Sequence, residues 1–95
     1  MADFMAKIGV SNQNKRPHVV WVEPWAEDFT LLPGEELEIR ASSTLSQPWF
    51  HVVESDGHTQ VYIETIYATY EVLQHGNPLQ CGHNRQSAVD AGLSL

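Results

Sequence analysis

The chain of 95 residues has room for one small domain, and 42% hydrophobic residues with 18% charged ones set it among globular chains and outside the disordered class. Its formal net charge of −7 is uneven: residues 1–17 hold Asp3 against Lys7, Lys15 and Arg16 for +2, residues 18–85 hold ten acids against Arg40 and Arg85 for −8, and Asp90 adds the last −1. Two bases in the central span cannot neutralise several phosphates, which excludes nucleic acid and an anionic membrane as expected partners and favours cationic or neutral ones.

The lone Cys81 allows no internal disulfide, and the opening "MADFMAKIGV" has too short an apolar run, broken by Asp3 and Lys7, for a secretory signal. No run approaches the roughly 20 apolar residues that cross a bilayer. A soluble, cytoplasmic protein is the expectation. A core of this size hides only about two thirds of the unfolded surface, so a protein partner or self-association is expected to add to its stability.

Residues 1–17 end in "SNQNKRP", show no sustained periodicity and read as a flexible N-terminal arm. From His18 the text changes to short β-branched and aromatic runs between turn signals, with predicted strands at 18–23, 28–32, 35–42, 49–55, 58–64, 67–74 and 78–81. Seven short strands within residues 18–85 predict an all-β domain, a small antiparallel β-sandwich or a small barrel. Residues 86–95 read as a frayed C-terminal tail or one helical turn.

In "HVVWVEPWAEDF" Pro24 ends the first strand, and Trp21 is expected in the core. The run "EELEIRAS" alternates, with Leu37, Ile39 and Ala41 inward and Glu36, Glu38 and Arg40 outward, as a sheet wet on one face requires. Before it, "LPGE" puts Pro33 where φ is fixed and Gly34 where φ must be positive, a type II turn that makes a corner between two sheets. The phrase L-x-P-G-E-x-x-x-I at 31–39 resembles turns in cupredoxin and immunoglobulin-like sandwiches, and the resemblance implies one of those two architectures.

"WFHVVESDGHTQVYIE" sets Asp56-Gly57 between two alternating runs, the signal of a type I′ hairpin. That register places Ser55 opposite His58, His51 opposite Tyr62 and Trp49 opposite Glu64. Phe50, Val52, Val61 and Ile63 then face the core, and Trp49, His51, Val53, Gln60, Tyr62 and Glu64 face outward. An indole, an imidazole and a phenol beside a carboxylate suit contact with a protein or, more weakly, a carbohydrate. The candidate binding surface is Trp25, Trp49, His51 and Tyr62 with Glu64 at the rim. The competing reading covers Trp49 and Tyr62 with the "EPWAED" loop that carries Trp25.

Five histidines and a cysteine raise a metal alternative, zinc or copper. His51 and His58 point the same way but sit four rungs apart, about 13 Å, too far to share an ion. "EVLQHGNPLQC" reads as a second hairpin with Gly76-Asn77 at its tip, which puts Val72 opposite Cys81 and makes the thiol a small buried group. What remains is "CGH", Cys81 and His83, needing a third ligand from His51 or His18 and falling short of the four that hold structural zinc. The loop also lacks the ligand spacing of a blue-copper site. No cofactor is expected.

A Cys81 nucleophile with His83 as base would need an exposed thiol, which that register buries. Glu54 and Glu64 fall on opposite faces, and no phosphate loop, dinucleotide motif or nucleophile elbow occurs. The expected function is that of a small acidic, non-enzymatic interaction module.

Overall fold

The computed structural model describes residues 3–65 and 67–95. Eight strands and one helix follow in order: β1 (Phe4–Ser11), β2 (His18–Glu23), β3 (Glu27–Leu31), β4 (Glu36–Ser43), β5 (Trp49–Ser55), β6 (His58–Glu64), β7 (Thr69–Gln74), β8 (Asn77–Pro78) and α1 (Arg85–Asp90). They form two four-stranded sheets, β1-β4-β7-β8 and β3-β2-β6-β5. The core lies between them: Val20, Val22, Phe29, Leu31, Val61 and Ile63 from one sheet meet Leu37, Ile39, Ala41 and Val72 from the other. All-β sandwich architecture thus follows from the period-two runs, each of which has one apolar face to bury. Pairing is antiparallel except for β2 with β6, which run parallel because the chain leaves for the other sheet between them.

The crossing is made at the predicted corner. Gly34 has φ +84°, Glu35 N donates to Leu32 O at 3.0 Å, and the corner passes the chain from β3 to β4 in the opposite sheet.

At the N-terminus the structure departs from the expected arm. Residues 4–11 form β1, paired in register with β4 from Phe4 opposite Ser43 to Ser11 opposite Glu36. Met1 and Ala2 of that arm lie outside the described residues. Ile8 and Val10 pack against the core, an alternation that the neighbouring polar residues disguise. The polar segment beyond β1 is tied down by Asn12, whose buried side chain donates to Leu31 O at 2.9 Å and Arg16 O at 2.8 Å and accepts from Asn14 N. Its backbone bonds Glu35 O and Gly34 N, joining the segment to the corner.

The C-terminal segment takes the helical one of its two expected forms. Rather than fraying, α1 packs on β3 and buries Ala88, and the chain beyond it brings Ser94 O to 3.0 Å from His58 Nε2.

The second hairpin turns one residue earlier than expected. His75 and Gly76 form its tip with φ +51° and +78°, so Gln74 opposes Asn77 and Leu79 N donates to Val72 O. The type I′ geometry that requires two positive φ values is therefore here. Cys81 is carried past the end of this sheet to the edge of β3, where Gly82 N donates to Asp28 O and Thr30 N donates to His83 O. The thiol is exposed, not buried against Val72.

Candidate binding surface

The β5–β6 hairpin has the predicted register at every rung, from Trp49 opposite Glu64 to Ser55 opposite His58. Its turn differs in type. Gly57 has φ +79° while Asp56 is not among the residues with positive φ, which rules out type I′. Val19 N donates to Gly57 O at 2.9 Å, so the parallel neighbour β2 holds the turn from the other side.

Pairing across the sheet defines its outer face row by row. Thr30, Val19, His58 and Ser55 form one row; Asp28, Trp21, Gln60 and Val53 the next; then Glu23, Tyr62 and His51; then Glu64 and Trp49. The C-terminal segment covers the first row at its β3 end, which is why Val19 and Thr30 are fully buried although they face away from the core. It leaves the β5 end bare. Trp49 is 58% exposed, Val53 39% exposed, His51 is exposed, and Tyr62 and Glu64 are half-buried. The His51 and Tyr62 rings meet edge-on with centroids 6.0 Å apart, a cross-strand contact that orients both.

Four of the five candidate contact residues, Trp49, His51, Tyr62 and Glu64, therefore share one open face. Trp25 does not join them. It packs at a tilt of 41° against Tyr70 of the opposite sheet with centroids 4.7 Å apart, so the "EPWAED" loop that could have covered the face lies toward the other sheet instead.

Trp21, expected in the core, belongs to the outer face, half-buried beside Gln60. The signal was in the strand itself. Val20 and Val22 point inward, so strict alternation turns Trp21 out, but the covered Val19 makes "HVVWV" look apolar throughout. Beside Trp21, Gln60 Nε2 donates to Glu23 Oε2 at 3.4 Å, and Glu23 Oε1 accepts from Ala26 N.

The metal candidates are dispersed. His83 bridges to Phe29 along the outer side of β3, and His51 sits on β5 at the other edge of the sheet, four strand spacings or roughly 19 Å away. Cys81 Sγ lies 3.7 Å from Asp28 Oδ1 and 3.8 Å from an Arg85 nitrogen. Asp28 is buried and held by the Arg85 fork, Nε to Oδ2 at 2.9 Å and the second nitrogen to Oδ1. That pairing holds the Asp28 carboxyl below its ordinary value against the opposing effect of burial. Among the described residues no three of histidine, cysteine, aspartate and glutamate stand together in a way that could hold an ion.

His18 lies at the end of the sandwich, its Nε2 2.7 Å from Thr59 Oγ1 and its buried Nδ1 without a partner. Burial lowers its pKa, with the Glu54 charge opposing the shift. Among the described residues no helix is long and apolar enough to cross a membrane. No family model, curated protein or solved structure matches this chain.

Proposed function

We propose that this chain is a non-enzymatic binding module that meets a protein partner with the bare end of the β3-β2-β6-β5 sheet, using Trp49, His51 and Tyr62 with Glu64 at the rim. The observation that carries the reading is the exposure of Trp49 on a face whose other end is covered by the chain's own C-terminal segment. A large indole left in water beside an imidazole and a phenol on a rigid two-stranded ribbon supplies contact area with little rotamer freedom to lose on binding. The exposed, unpaired Cys81 supports placing the module in the reducing cytoplasm.

Affinity capture with wild-type protein and with Trp49→Ala tests this. Truncating a central anchor of an interface removes about 2 kcal/mol or more, so the specific partner should be depleted at least tenfold on the variant column. Because Trp49 is largely exposed, thermal stability of the variant should stay close to that of wild type. An identical set of retained proteins on both columns would contradict the proposal.

A further inference from the structure

The parallel pairing of β2 with β6 determines which backbone groups of β5 are free. Val19 takes the Gly57 carbonyl, so by strand alternation the Gly57, Thr59, Val61 and Ile63 peptide groups look toward β2. Those of His58, Gln60, Tyr62 and Glu64 then look toward β5, where they bond Ser55, Val53, His51 and Trp49. Phe50, Val52 and Glu54 are left with N–H and C=O directed away from the sheet. β5 is the outermost strand, and six of its seven residues are exposed, Phe50 alone being half-buried.

The three other edges of the sandwich are guarded. On β3, Thr30 N and Asp28 O are occupied by His83 and Gly82. The β7 side is closed by the two-residue β8 with its Pro78. On β1, Lys7 projects with a 72% exposed side chain and Gln47 Nε2 donates to Met5 O. These are ordinary devices that keep edges from pairing, a short or proline-bearing strand, a lysine and a covering segment. β5 has none of them. Its seven residues contain no proline and no lysine, and Val52 is 40% exposed at its centre.

Charge indicates what would pair there. Between Arg40 and Arg85 the sequence has no lysine or arginine, and the ribbon carries Glu54, Asp56 and Glu64, with Glu23 two strands in. A second copy would bring the same carboxylates and another net charge of −7 to the edge. A basic strand would find complementary charge, and an aromatic face for its cations at Trp49.

We propose that β5 receives an extended cationic peptide segment of the partner as a ninth strand, bonded to the backbones of Phe50, Val52 and Glu54. Its apolar residues lie beside Phe50 and Val52, and its alternate lysines or arginines beside Trp49 and His51 toward Glu64. This rests on the binding-module reading and names the partner's chemistry and binding mode; β-strand addition of this kind derives affinity from the main chain and specificity from alternate side chains.

The test is an NMR titration of the ¹⁵N-labelled protein with three seven-residue probes: one alternating lysine and valine, its glutamate–valine counterpart, and the lysine peptide N-methylated at every residue. The lysine peptide should shift the amides of Phe50, Val52 and Glu54 together with the Trp49 indole, and the other two should bind at least tenfold more weakly. Val52→Pro, which removes one outward N–H and leaves the β6 pairing intact, should weaken the lysine peptide by a similar factor. Equal binding of the N-methylated probe, or shifts at Trp49 and Tyr62 with the three edge amides unmoved, would overturn strand addition while the outer face stood as a contact surface. Preference for the glutamate peptide, no response to any probe, or a free protein that is already a dimer through β5 would also overturn it; the Trp49→Ala capture result would then stand or fall by itself.

Discussion

His18 illustrates how a side chain at the domain's end couples stability to pH. Burial disfavours the charged form of its ring, which is bonded through Nε2 to Thr59 Oγ1, and protonation would put a charge on a ring whose Nδ1 has no acceptor. The folded-state pKa lies below the ordinary value of 6.5, so the unfolded chain binds the proton more readily. The His18 contribution is therefore fully present above pH 6.5 and is lost as the pH falls from there through the lowered folded value. Wild-type protein should lose more thermal stability between pH 7.5 and 5 than His18→Gln, which keeps a hydrogen-bonding group near Thr59 but does not titrate. Equal losses would remove His18 from the account. Asp28, held low by Arg85, acts in a separate window, since its contribution is present above pH 3.8 and fades only below it.

Among the elements, the segment that follows β1 is tied to the core by the buried side-chain amide of Asn12, beside the backbone bonds that join it to the corner. Replacing Asn12 with alanine leaves the carbonyls of Leu31 and Arg16 without their donor, which should cost about 2–3 kcal/mol, whereas the exposed Gln13→Ala should be near neutral. Urea denaturation of the two variants checks this, and a silent Asn12→Ala would mean that the segment is not held as described. Nothing local marks that anchor, because "SNQNKRP" has the composition of a loop and Asn12 acts on a strand 19 residues away. The β5–β6 register was legible because Asp56-Gly57 and clean alternation agree, and with it came the shared face of Trp49, His51, Tyr62 and Glu64. The second hairpin was not. "QHGNP" offers glycine in either of two phases, and the rung that actually forms, Gln74 with Asn77, puts His75 at positive φ, a conformation uncommon for any residue but glycine. Trp25 was misplaced for a tertiary reason, since only the packing of the two sheets brings Tyr70 under it.

At the scale of the whole molecule the sandwich is asymmetric. Three of its edges are covered, lysine-bearing or cut short, and the C-terminal segment closes one end of an outer face while β5 and the aromatic row beside it remain in water. An isolated domain that leaves such an edge unguarded exposes a pairing template, and the acidic surroundings limit pairing with its own kind. Residue-resolved amide hydrogen exchange of the free protein reads this asymmetry directly. The amides of Phe50, Val52 and Glu54 should exchange quickly and those of His51 and Val53, bonded to β6, slowly, so that protection alternates along β5. Uniform protection along the strand would show the edge already occupied, and protection in the opposite phase would place Trp49 and His51 on the wrong side of the sheet; either result contradicts the account.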